Sequence, residues 1–193
     1  MATNSQTGRT CRSAAETVLE LALHNLYDGV PMAAVRQSLV LAARTLIERE
    51  PDYSKVAARL LLRGLRLEVL GDELDHADMA TRYAEAFPKL IKRGVEAELL
   101  DPRLKEYDLD KLAAALIADR DLQFDYLGLQ TLYDRYFLHV EERRIELPQT
   151  FFMRVAMGLA LNEIDREDRA IAFYHLLSSF DFMSSTPTLF NSG

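Results

Sequence analysis

The residues of this chain that could do chemistry are few, and the most suggestive group lies near its end. Ser184-Ser185-Thr186-Pro187-Thr188 gathers four hydroxyls around one proline, where helical periodicity fails. Hydroxyls and free backbone N–H groups in a non-helical segment can hold an anion such as phosphate, although an ordinary surface loop has the same composition. The histidines His24, His76, His139 and His175 are widely scattered and form no His-x-x-x-His pair. No metal site is therefore expected from them. Carboxylates cluster at Asp72-Glu73-Leu74-Asp75 and from Glu163 to Asp168, where helix dipoles or plain solvation account for them without acid–base catalysis. There is no Gly-rich phosphate loop, no Gly-x-Ser-x-Gly elbow and no Cys-x-x-Cys, so no catalytic or cofactor-binding residue is assigned.

Cys11 is the single cysteine. One thiol cannot form an internal disulfide, which makes a reducing cytoplasm the expected compartment and excludes chemistry that needs two thiols within the chain. The balance of 23 basic against 30 acidic residues gives a net charge of -7, and a nucleic-acid partner is not expected. Apolar runs such as Ala113 to Ala118 fall far short of the roughly 20 residues that span a bilayer, so no membrane segment is expected. Met1 to Thr10 is polar and lacks the core of a signal peptide.

The elements that must position these residues are helices. Residues 1–12 are expected to be a disordered leader. Ser13 stands at capping-box spacing before Glu16, and Val18, Leu19, Ala22, Leu23 and Leu26 follow at helical spacing as far as Gly29. A second stripe (Val35, Leu39, Ala42, Ala43, Leu46, Ile47) ends at Pro51, and a third (Val56, Ala57, Leu60, Leu61, Leu65) closes near Gly71. His76 to Arg93 reads as a helix interrupted at Pro88 and capped by Gly94. Two more follow at Leu109 to Ile117 and Tyr126 to Tyr133, and 136–147 reads as a short hairpin or an extended link centred on Glu141-Glu142-Arg143-Arg144. Pro148 opens the clearest helix, with Phe151, Phe152, Val155, Ala156, Leu159 and Ala160 on one face, and Arg166 to Phe180 forms the last. Beyond it Met183 to Gly193 reads as turn chemistry. The fold class expected is all-α, a multi-helix orthogonal bundle of about eight to ten helices. The aromatic concentration of Tyr126, Tyr133, Tyr136, Phe137, Phe151 and Phe152 is expected to be core packing.

From Asp119 onward the blocks Asp119-Arg120-Asp121-Leu122-Gln123-Phe124, Tyr126 to Phe137, Leu147-Pro148-Gln149, Phe152 to Gly158 and Ser185-Thr186-Pro187-Thr188-Leu189-Phe190-Asn191-Ser192-Gly193 occur in one order. This order resembles the large (alpha) subunit of class I ribonucleotide reductase. The first third, with Asn25-Leu26-Tyr27-Asp28-Gly29-Val30, Glu50-Pro51-Asp52-Tyr53 and Ala57-Ala58-Arg59-Leu60, is similar to the final helices of an ATP-cone. Arg36 and Leu67 stand where nucleotide-binding cones of the family often carry His and Lys, which implies a cone remnant with a packing role. On this resemblance the domains are a leader 1–12, a cone-like remnant 13–71, an all-alpha domain 72–183 and, at 184–193, the start of the segment leading into the catalytic barrel.

The resemblance further implies a thioredoxin- or glutaredoxin-dependent reduction of ribonucleoside diphosphates at the 2′ carbon. In the family a thiyl radical on a barrel cysteine does this work, a cysteine pair re-reduces the site, and a metal-containing small (beta) subunit generates the radical. ATP, dATP and deoxynucleoside triphosphates act as effectors. The cysteines would all follow Gly193, leaving this chain inactive alone and partnered by the C-terminal barrel portion, the small subunit and, through the barrel, the substrate. Thr186, before Pro187, matches the family's substrate-phosphate contact, with Ser185 and Thr188 as neighbouring candidates. An exposed apolar patch including Phe180, Phe182 and Phe190 is expected where the barrel would meet the last helices. The alternative is a stand-alone helical regulatory or interaction module without catalysis; a third reading, a free nucleotide sensor, rests on the cone remnant.

Overall fold

The computed structural model describes residues 15–24 and 26–193. The leader and the Ser13 cap lie outside the described residues. The chain is all-α, with helices at 15–23 (α1), Met32–Leu46 (α2), Tyr53–Leu70 (α3), Met79–Glu96 (α4), Leu109–Ala114 (α5), Tyr126–Arg135 (α6), Pro148–Leu159 (α7), Arg166–Ser178 (α8) and Thr186–Asn191 (α9). Short 3-10 turns cover His76–Asp78, Pro102–Glu106 and Ala118–Gln123. The described residues fall into two compact units, one up to Gly64 together with Phe124–Gln130, the other Leu65–Gln123 with Thr131–Gly193.

The first unit packs through small residues. Val18 and Ala22 of α1 are buried with Ala42, Ala43 and Leu46 of α2, Ala57 of α3 and Tyr126 of α6. Four alanines in this cluster let helix backbones approach closely, and Leu39, Val56, Leu60 and Leu61 fill its margin. Leu19 and Leu23, expected on the inner face of α1, are exposed instead. The Ser54 hydroxyl accepts the Tyr126 amide at 3.1 Å, giving the first turn of α6 one partner for its unpaired donors.

In the second unit α4 presents Met79, Tyr83, Phe87, Ile91 and Val95 to the core at successive intervals of four. Pro88 does not interrupt this helix. A proline inside a helix costs about 3 kcal/mol, while each large apolar side chain buried stabilises by roughly 1.5–3 kcal/mol, so the five inward residues outweigh it. Gly94 is not the cap either, because α4 runs on to Glu96 and the left-handed residue is Glu98 at φ 57°. The Leu99 and Glu98 amides donate back to the carbonyls of Gly94 and Val95, the paired bonds of a Schellman ending. Gly94 is small for another reason: a Cβ there would stand 2.5 Å from the Leu100 side chain.

The 136–147 region is a two-residue hairpin. His139–Val140 (β1) pairs antiparallel with Arg143–Arg144 (β2), His139 opposite Arg144. Glu141 and Glu142 supply the turn at φ 50° and 64°, both left-handed as a type I′ turn demands. Asn-Gly normally signals such a turn, so Glu-Glu gives no local warning of it.

Candidate functional site

Helix α7 organises the second unit. Pro148 occupies its first turn, where the missing N–H is no loss, and the Thr150 hydroxyl accepts the Leu147 amide at 2.8 Å to close the entry. Every residue from Pro148 to Met157 is buried, polar ones included. Arg154 is 1% exposed. Its Nε and Nη2 donate to the two oxygens of Glu146 at 2.9 and 3.1 Å, and Glu146 also accepts the Leu138 amide at 2.9 Å. A buried ion pair survives only when its donors and acceptors are satisfied. Here the remaining nitrogen, Nη1, donates to the backbone carbonyls of Ser192 at 2.8 Å and Leu189 at 3.3 Å.

That bond seats the segment carrying the candidate hydroxyls. Residues 186–191, expected to be non-helical, form α9, with Ser185 at its N-cap and Pro187 in its first turn. A hydroxyl residue followed by a proline is a helix-start signal that the turn-like composition masked. Ser185 and Thr186 are exposed and Thr188 half-buried. Thr186 Oγ1 lies 3.0 Å from the Tyr136 hydroxyl, and the Tyr136 ring meets Phe190 with centroids 5.3 Å apart. At the other end the backbone of Ser192 and Gly193 crosses Gly158 of α7, where a Cβ would come within 2.5 Å of the Ser192 carbonyl carbon. The three sequence candidates thus share one short helical segment. Tyr136, expected only as core packing, and Glu146, Arg154 and Gly158, to which the sequence assigns no site role, hold it.

A second buried network surrounds Asp121, 2% exposed. Its carboxylate accepts from Arg66 Nη2 at 3.0 Å, from the Tyr83 hydroxyl at 2.9 and 3.0 Å and from Gln149 Nε2 at 2.9 Å. The Tyr174 hydroxyl continues it by donating to Gln149 Oε1 at 2.7 Å while accepting the Ile117 amide at 2.8 Å. Burial pushes the Asp121 carboxyl above its ordinary range, against the Gln149 amide, the Arg66 guanidinium and the Tyr83 hydroxyl, which favour the charged form. Burial and the adjacent Asp121 carboxylate likewise hold the Tyr83 hydroxyl well above its usual value, so it remains a donor. Among the described residues, Arg66 Nε is the one buried side-chain nitrogen or oxygen without a partner.

The scattered titratable groups are tied into ordinary contacts. His76 bridges Arg66 and Asp119 at 3.0 and 2.9 Å, and His175 Nδ1 lies 3.2 Å from Arg120 Nη1. Asp72 pairs with Arg82 and Asp168 with Lys111, both at 2.6 Å. Among the described residues no group of three or more His, Cys, Asp or Glu could hold a metal ion, and no helix is long and apolar enough to cross a membrane. Phe151 joins a ladder of rings through Phe137, Phe152 and Tyr136, with centroids 5.2 to 6.3 Å apart. The aromatic side chains expected at an apolar patch are exposed, Phe182 and Phe190 at 57% and 56% and Phe180 less so, as are Met183, Leu159 and Leu176.

Residues 122–193, which include α7, α8 and α9, match the family model for the ribonucleotide reductase all-alpha domain. The chain is 47% identical over 191 residues to the ribonucleoside-diphosphate reductase subunit alpha of Chlamydia muridarum, a match covering 96% of this chain and 18% of that one. It is 36% identical over 167 residues to the subunit alpha of Helicobacter pylori, covering 86% and 20%. With the large subunit of Plasmodium falciparum it shares 30% over 174 residues, covering 89% and 20%. The chain belongs to the ribonucleotide reductase large-subunit family, and it spans about a fifth of the length of the curated relatives it matches.

Proposed function

We propose that this chain is the N-terminal part of a cytoplasmic ribonucleoside-diphosphate reductase large subunit, supporting a catalytic barrel and lending it a substrate-phosphate contact for deoxyribonucleotide synthesis. Residues 13–71 act as a cone-like packing element, 72–183 as the all-alpha support and 184–193 as the lead into the barrel. The exposed face around Phe180, Phe182 and Phe190 is where the barrel would pack. The radical cofactor belongs to the small subunit and the reacting thiols to the barrel. This chain's own residues bind and orient: the hydroxyls of Thr186, Ser185 and Thr188 donate to the diphosphate.

The observation that carries this reading is that Ser185 and Thr186 are exposed on a segment whose far end is locked to α7 by a buried arginine. The test is reconstitution. The 193-residue chain, mixed with the complementary barrel portion and the small subunit, should restore nucleotide reduction. A hydrogen bond to a charged group is worth about 1.5–3 kcal/mol, so Thr186→Val should raise KM for the diphosphate roughly tenfold or more. If the two portions neither associate nor restore reduction, the chain is instead a stand-alone helical interaction module. Titration of the chain with ATP and dATP should give no heat, since the cone-like segment is read as packing; measurable heat would favour a nucleotide sensor.

A further inference from the structure

We infer that Arg154, held by Glu146, is the positioning residue of the hydroxyl segment, fixing the backbone at its far end and so setting where Thr186 stands. The inference rests on the proposed phosphate contact, because it assigns the residue on which that contact's geometry depends.

The guanidinium is planar and offers its donors in a fixed fork. Two nitrogens are used on Glu146, leaving Nη1 for the Leu189 and Ser192 carbonyls. Glu146 receives the Leu138 amide as well, so the hairpin side of the unit is tied to the same carboxylate. If stability alone were at issue, a well-packed apolar pair would serve as well or better, since both ions are taken out of water. What an apolar pair cannot do is address two backbone oxygens. Helix α9 has six residues, too few to be stable by itself, so its placement depends on what grips it. The grip is doubled where Gly158 admits the backbone of residues 192–193 without the obstruction of a Cβ.

Arg154 touches no substrate in this account and acts through the segment. A lysine at this position keeps the charge opposite Glu146, yet a single ammonium cannot serve the carboxylate and both carbonyls. Arg154→Lys is therefore the variant of choice, and Glu146→Gln, which frees the fork while keeping its shape, is the second. Two measurements are needed. On the chain itself, amide hydrogen exchange of residues 189–192 should accelerate by about tenfold or more while the amides of α4 keep their protection. In the reconstituted enzyme, KM for the ribonucleoside diphosphate should rise several-fold with kcat within about twofold, and the Arg154→Lys/Thr186→Val double variant should be no worse than the worse single one.

Unchanged exchange overturns the inference. So does a fall in kcat with KM unaltered, which is what loss of folded enzyme alone would give, or multiplication of the two effects in the double variant. If Thr186→Val leaves KM unchanged while exchange still accelerates in Arg154→Lys, the phosphate contact itself is wrong, and the positioning role falls with it.

Discussion

Two buried carboxylates, Asp121 and Glu146, each face an arginine and each engage a residue of α7, yet they are put to different use. Asp121 is surrounded by side chains alone: Arg66, Tyr83 and Gln149, with Tyr174 behind them. Glu146 divides its bonds between Arg154 and a backbone amide, and Arg154 passes the connection on to backbone carbonyls near the chain's hydroxyl segment. The first arrangement closes on itself and specifies the core. The second points outward and places a piece of chain. Burying a charge is costly in both cases, and what each charge is bonded to decides what that cost achieves.

The sharpest way to break this comparison is Asp121→Ala. It removes the carboxylate opposite the Arg66 guanidinium, 5% exposed, and the acceptor of the Tyr83 and Gln149 donors. Removing one partner of a buried pair costs about 3–5 kcal/mol, and urea denaturation followed by circular dichroism should show it as a lower midpoint. A midpoint equal to wild type would mean that the hub does not hold the core. Gly158→Ala should do the reverse. Its new Cβ collides with the backbone of residues 192–193, and the short terminal segment lifts away more readily than α7 deforms. Exchange at Leu189 to Ser192 should quicken while the unfolding free energy changes by less than about 1 kcal/mol; a large loss of stability with protection intact would contradict that.

A pH effect is the smallest expected. Partial burial and the neighbouring Arg120 hold the His175 imidazole below its ordinary value of 6.5. In the window between that lowered value and 6.5 the unfolded chain binds the proton more readily. This contribution is therefore fully present above pH 6.5 and is lost as pH falls toward the folded value. His175→Gln should flatten the melting temperature across that window. If wild type and variant trace parallel curves there, the Arg120–His175 contact carries no such linkage.

Much of the architecture was legible because it rests on local signals. Pro148 with its apolar spacing announced α7, Gly29 and Gly71 marked turns at φ 83°, and the 136–147 hairpin was one of two readings of its alternation. What escaped depends on distant partners. Arg154 and Gln149 carry no local signal of burial, since nothing nearby says that every residue from Pro148 to Met157 is enclosed. Gly94 looked like a cap because only the fold brings Leu100 back over it. Thr186, Ser185 and Thr188 were recognised by resemblance and composition, whereas Tyr136, which meets Thr186 across 50 residues, has no signature in sequence.

The Asp121 hub also bears on the order in which the second unit assembles. Its bonds join residues 55, 38 and 28 positions apart, and Tyr174 enters across a further 25. None of these contacts can form until the intervening loops have closed, and loop closure precedes the reward. The hub is thus expected to lock after the rate-limiting step, acting as a brake on escape from the native state more than as a nucleus for reaching it. Substituting Asp121 should then steepen unfolding rates and leave refolding rates nearly untouched, a division that stopped-flow measurements on either side of the midpoint would read directly.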